Sequence, residues 1–194
     1  DKTLDAEFAA TTSRAKLENW LWFAGAVLTG IWMLTGNCRQ KRKLKALPDS
    51  RDAALLAELE AVKVLVGVND KVRICIKEGV ETTFLTRMRG QYVIALESGF
   101  DAAERRQVLL HELTHLKHGD LGGNQSAALI LAICWWNPVI WLAFRRFRRD
   151  MEIYCDYDAA RLSGDKKAYA ATLVKAAAGT ERFVLGTTSF IGGE

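Results

Sequence analysis

His111-Glu112-Leu113-Thr114-His115 places a glutamate between two histidines four residues apart. On a helix, positions i and i+4 share a face, so both imidazoles can aim a ring nitrogen at one point about 2 Å away, the distance at which histidine binds zinc. Glu112 falls about 100° round the same helix, close enough to touch a water on the metal without ligating the ion. Zinc lowers the pKa of that water toward about 7, so hydroxide is available at neutral pH; Glu112 would take the proton and pass it to a departing amine. The pattern points to a zinc peptidase. A surface helix with two unrelated histidines is the plain alternative. It is disfavoured because the chain has only three histidines and the helix carrying them has its own start signal.

A catalytic zinc needs a third protein ligand and an open fourth position. His118 is the nearest candidate, but three ligands from one helix face do not readily surround a tetrahedral ion. The metzincin continuation is absent too, because its glycine and third-histidine positions hold His118 and Leu121. Met151-Glu152-Ile153-Tyr154-Cys155-Asp156 offers a better solution. Glu152 and Asp156 are i and i+4 on a downstream helix, so Glu152 can ligate zinc while Asp156 accepts the N–H of one histidine and fixes its tautomer. Two exposed acids answering Arg148 and Arg149 are the alternative for that spacing.

These groups need elements to hold them. Asp101-Ala102-Ala103-Glu104 is a capping box that starts the motif helix, and Gly119, Gly122 and Gly123 end it. Asn137-Pro138 reads as the N-cap and first residue of the helix that carries Glu152, which runs to about Leu162. Asp165 caps a last helix to Ala178, with Gly179 past its end. Upstream, Ser50 can cap an amphipathic helix with Leu55, Leu56, Leu59 and Val62 at helical spacing. Residues 72–77 alternate as a half-buried strand, 92–96 read as another and 84–88 add a third, with Gly79 and Gly90 as punctuation. The expected fold class is α+β, mostly helical with a small antiparallel sheet ahead of the histidines.

All six tryptophans fall in two charge-free stretches: Trp20, Trp22 and Trp32 within 20–36, and Trp135, Trp136 and Trp141 within 121–144. Such clustering is a membrane signature more than a core signature. The first stretch has 17 residues, the short end of what a spanning helix needs, and is read as transmembrane. Five positive charges follow it in 39–45, whereas the segment before it mixes signs, so the positive-inside rule puts everything after Gly36 in the cytoplasm. A signal peptide fits less well, because the positive charge comes after the apolar run. His115 and Glu152 must meet at one ion, so 121–144 has to enter and return, lie at the interface, or pack in a core, turning at Asn137-Pro138.

The net charge of +4 is concentrated in 39–45 and in Arg145-Arg146-Phe147-Arg148-Arg149, both abutting apolar segments. Anionic lipid headgroups are the expected partner for these charges, rather than nucleic acid. Cys38, Cys75, Cys134 and Cys155 show no paired spacing and fit free thiols in a reducing compartment.

Leu109 to Asp120, Trp136-Asn137-Pro138-Val139-Ile140-Trp141 and Arg149 to Asp156, with Tyr169 on the following helix, together resemble the integral-membrane zinc metallopeptidases typified by the BlaR/MecR β-lactam sensor-transducers of bacteria. The resemblance covers about residues 104 to 175. It implies a gluzincin site with Zn2+ held by His111, His115 and Glu152, Glu112 as base, and a multi-pass protein of the bacterial cytoplasmic membrane whose active site faces the cytoplasm. Members of the sensor type detect a β-lactam outside, and the signal activates a cytoplasmic protease that relieves gene repression, commonly with cleavage of the transducer's own chain. The expected partners are the lipid bilayer, a protein substrate (this chain or a cytoplasmic repressor) and a second copy of the chain, with no direct contact to nucleic acid. Because the chain begins at Asp1 without methionine, the sensor and other membrane helices are expected in a longer protein.

The organisation that follows is an extracytoplasmic segment (1–19), a transmembrane helix (20–36), a basic juxtamembrane linker (37–50) and a membrane-anchored, gluzincin-like metallopeptidase domain (51–180) with its membrane-associated segment at 121–144. Residues 181–194 form a tail or linker. Phe190 would suit the hydrophobic pocket that thermolysin-like enzymes place just after the scissile bond, so self-cleavage is expected near Ser189-Phe190. The competing reading is a non-catalytic signalling module that binds a cytoplasmic partner and uses zinc only to hold its fold. Glu112 separates the two, because a structural site needs no base beside its ligands.

Overall fold

Alternating apolar residues build a sheet covered on both sides. The computed structural model describes residues 2–45, 48–77, 83–177 and 188–189. Strands β1 (Val72–Lys77), β2 (Phe84–Met88) and β3 (Gln91–Glu97) lie in the order β1-β3-β2, and β4 (Thr188–Ser189) adds at the β2 edge. β2 and β3 form an antiparallel hairpin closed by Arg89 and Gly90, whose φ angles of 48° and 83° suit a two-residue turn. β1 instead runs parallel to β3. The sheet is therefore mixed rather than antiparallel throughout: alternation assigns each side chain a face but does not specify a strand's neighbour or direction. Ile74, Leu85, Ile94 and Leu96 face the main core, while Cys75, Phe84, Val93 and Ala95 face Leu44, near the end of helix α1 (Lys2–Lys45).

Helix α2 (Ala53–Val66) starts at Asp52, whose carboxylate accepts from the Ala54 N–H, and not at Ser50. The Ser50 hydroxyl accepts from the Asp52 N–H, and its own N–H donates to Ile74 O at 2.8 Å, so the expected cap lies beside β1. Leu55, Leu59, Val62 and Val66 are buried, each worth about 1.5–3 kcal/mol of transfer free energy. Leu56, at the same helical spacing, stays 39% exposed.

Helix α3 (Ala102–His118) begins in the reciprocal capping box of Asp101 and Glu104 and ends at Gly119, where φ is 73°. Gly122 and Gly123 do not end it; they lie inside helix α4 (Asp120–Ile133). Every residue from Val108 to Leu116 is buried, so α3 is the central helix, contacting α2, helix α5 (Pro138–Ser163) and helix α6 (Lys166–Ala177). Asn137 caps α5 with Pro138 in its first turn, and Asp165 accepts from the N–H groups of Lys167 and Ala168 at the start of α6.

α4 and α5 form a hairpin whose Leu131 and Phe144 pack with Met33 of α1. At its tip the Trp135 indole lies over Gly25 and donates to Trp22 O at 3.1 Å. α1 carries the run 20–36 without a break, yet no described helix is long and apolar enough to cross a membrane. The span expected at 20–36 is not met on that measure. The tail from 180 lies outside the described residues except at 188–189, where the backbone is paired rather than loose: Thr188 opposes Leu85 and Ser189 opposes Phe84.

Candidate metal centre

His111, Glu112, Thr114 and His115 are all buried in the middle of α3. Burying ionisable groups costs several kcal/mol unless they are paired or bind a metal, so four polar residues within five positions mark a site rather than ordinary core. The Nε2 atoms of His111 and His115 lie 3.0 Å apart. One residue of α5 faces both: Glu152 Oε2 is 3.6 Å from His111 Nε2 and 3.4 Å from His115 Nε2. The three atoms form a triangle whose corners share a point about 1.9 Å away, against zinc–nitrogen and zinc–oxygen bonds of about 2.0–2.2 Å. The donor set and its spacing therefore fit a zinc ion.

The far nitrogens are held as well. His111 Nδ1 lies 3.1 Å from Asp156 Oδ1 and 2.9 Å from the Tyr169 hydroxyl, which itself donates to Asp156 Oδ1 at 3.0 Å. His115 Nδ1 lies 2.6 Å from Asp120 Oδ2. Both Nε2 atoms are thus left to face Glu152. Glu112 is completely buried one position along from His111. His118 stands apart, its Nε2 3.0 Å from Asp158 Oδ2 and its ring against Tyr154.

Cys155 was not singled out by its spacing, yet its thiol lies within 4.8 Å of ligand atoms of both histidines. It sits on the Nδ1 side of His111, 3.9 Å from that atom, and donates to the His111 carbonyl at 3.4 Å. The Nε2 pair and Glu152 Oε2 lie 3.0 to 3.6 Å from one another, whereas the thiol is 3.9 Å from His111 Nδ1. Asp120 and Tyr169 are the other two residues of the site for which sequence reasoning gave no role. Of the tail pair, Ser189 lies in β4 and Phe190 is outside the described residues.

Charge and burial oppose each other here. Burial pushes the Glu152 carboxyl up, but hydrogen bonds from His111 and His115 outweigh it and hold the pKa at about 2. For His111, burial disfavours the cation, whereas Cys155, Asp156 and Glu152 favour it and prevail. For His115, burial is likewise outweighed, by Asp120 first and then Cys155 and Glu152. Tyr169 is pushed well above the usual phenol value, chiefly by burial, so it remains a donor. The centre is an electronegative cradle that favours a cation.

A model of the BlaR1 peptidase M56 family matches residues 4–190. The chain belongs to the M56 peptidase family. It is also similar to the regulatory protein BlaR1 of Bacillus licheniformis, with 27% identity over 151 residues covering 77% of this chain and 25% of that protein. The chain thus spans about a quarter of that relative's length. Membership in M56, with a buried histidine–carboxylate cluster inside the matched region, makes the chain a member of a metallopeptidase family with a site able to hold a metal.

Proposed function

We propose that this chain is a zinc-dependent endopeptidase of the HExxH gluzincin type that acts in transmembrane signalling. The convergence of His111 Nε2, His115 Nε2 and Glu152 Oε2 within 3.0 to 3.6 Å carries the reading. A zinc ion held there supplies Lewis-acid chemistry, polarising a peptide carbonyl and acidifying water near neutral pH. Glu112 takes a proton from the attacking water and returns it to the departing amine. Asp156 and Tyr169 hold His111 with its Nδ1–H outward, so that its Nε2 lone pair faces the cation. Zinc content of the purified protein, measured with cleavage in the wild type and in Glu112→Ala, tests the reading. One equivalent of zinc in both, with cleavage only in the wild type, supports it; cleavage by Glu112→Ala overturns it.

The substrate proposed is this chain itself near Ser189-Phe190, a cytoplasmic repressor, or both. Support for self-cleavage comes from the pairing of Thr188–Ser189 with β2, a strand that also contacts the motif helix α3. Active protein would lose the residues after the cut, and an intact tail with the same mass as Glu112→Ala would rule self-cleavage out. The signalling role draws on M56 membership and on the similarity to a regulatory protein. A membrane setting with the site toward the cytoplasm is supported by the exposed Trp20, Trp32 and Trp136 and by the basic runs at 39–45 and 145–149 beside the apolar stretches. An impermeant maleimide should then label the exposed Cys38 from the cytoplasmic side of membrane vesicles; labelling from the opposite side would reverse the orientation.

A further inference from the structure

Asp120 neither ligates the proposed metal nor transfers a proton, yet it makes the shortest contact in the centre. Its Oδ2 lies 2.6 Å from His115 Nδ1, and both side chains are buried. From this we infer that Asp120 is the positioning residue of His115, fixing the ring that presents Nε2 to the metal; the inference rests on the zinc-peptidase reading above. His115 can offer a lone pair at Nε2 only if Nδ1 carries the hydrogen, and an ionised carboxylate at this distance is the acceptor that holds that tautomer. The contact depends on a break in the chain. On a continuous helix, a residue five positions on would lie about 140° round from His115, out of reach. Gly119, at φ 73°, ends α3 and turns the chain so that Asp120, the first residue of α4, folds back under the ring. The start of α4 also favours an anion through its free N–H groups.

The two histidines are therefore held by different parts of the fold. His111 answers to Asp156 on α5 and Tyr169 on α6, whereas His115 answers to α4. Since α4 packs through Leu131 on Met33 of α1, Asp120 ties the metal-facing ring to the helical hairpin and, through it, to α1.

The test compares zinc dissociation constants of the full chain, read by chelator competition, for wild type, Asp120→Ala and Asp120→Asn, together with the visible spectrum of the cobalt-loaded forms. Asp120→Ala should bind zinc about 10- to 100-fold more weakly and shift the cobalt d–d bands. Asp120→Asn keeps an oxygen that accepts from Nδ1–H, so it should recover most of the affinity and the wild-type spectrum. A residue that merely starts α4 would lower the melting temperature of the metal-free protein and leave both readouts unchanged. Affinity within about threefold of wild type in folded Asp120→Ala, or Asp120→Asn as impaired as Asp120→Ala, overturns the inference. Should Asp120→Ala fail to fold, Asp120→Asn decides alone: a near-wild-type spectrum supports the inference and a strongly shifted one overturns it. Glu152→Ala is the control for the underlying reading. If it binds zinc as tightly as wild type, the ligand assignment itself fails, whatever Asp120 does.

Discussion

His111 and His115 stand with their Nε2 atoms 3.0 Å apart, too close for both to carry a proton there. Two imidazolium N–H groups would collide across that gap, so the arrangement suits either one shared proton or one cation between the rings. Glu152 adds a negative oxygen to the same gap, which favours positive charge there, a proton or a metal ion.

On the proposed ligand assignment, replacing Glu152 removes one of three ligands and the only negative one. Glu152→Ala should lose zinc in a gel-filtered sample at micromolar protein, while Glu152→Asp, one methylene shorter, should keep a weakened site. Full retention of zinc by Glu152→Ala would return Cys155 or His118 to consideration.

Glu112→Gln should hold a full equivalent of zinc and cut about 10²- to 10⁴-fold more slowly, because it keeps the size of the side chain and removes its ability to accept a proton. Loss of zinc with the activity would mean that Glu112 is a ligand or a structural support instead of a base.

Acidity should act on the metal and on the metal-free fold in opposite senses. The histidine values are raised above 6.5, so protons compete with zinc before an ordinary histidine would, and affinity should begin to fall above pH 6.5 on acidification. Without metal, stability from the histidine cation is present in full below about 6.5 and is lost as pH rises through the raised folded value. The Glu152 contribution runs the other way, present above 4.5 and lost as pH falls toward about 2. Melting temperatures in chelator should therefore fall from pH 6 to pH 8, and excess zinc should reverse the trend. A chelated protein that gains stability over that interval would contradict the assignment.

A Cβ on Gly25 would overlap the Trp135 ring, whereas one on Gly30 would meet nothing within 4 Å. Gly25→Ala should cost about 1–3 kcal/mol by overpacking, and Gly30→Ala should be neutral or stabilising by up to about 1 kcal/mol through helix propensity. Thermal unfolding of the two variants measures the difference, and equal effects would mean that Trp135 does not seat on α1 as described.

What could be read in the sequence was encoded within a few residues. The capping box at Asp101, the Asn137-Pro138 start and the i, i+4 pairs His111/His115 and Glu152/Asp156 each follow from local geometry, and together they define the cradle. Asp120 was hidden because a fifth residue faces its partner only when the helix breaks between them; Gly119 directly before an aspartate was the available signal. Tyr169 and Cys155 reach the centre through the packing of α5 and α6 on α3, which spacing alone does not fix. The parallel pairing of β1 with β3 is likewise a long-range choice that alternation leaves open. Asp52 displaced Ser50 as the cap of α2 because it stands one residue before the first helical position, where a carboxylate can reach the N–H of Ala54.

X-ray absorption at the zinc edge of the zinc-loaded protein reads the ligand atoms themselves. His111, His115 and Glu152 predict nitrogen and oxygen neighbours alone at about 2.0–2.2 Å, with the outer-shell scattering of two imidazoles. A sulfur neighbour at about 2.3 Å would place Cys155 on the metal and contradict the His–His–Glu centre.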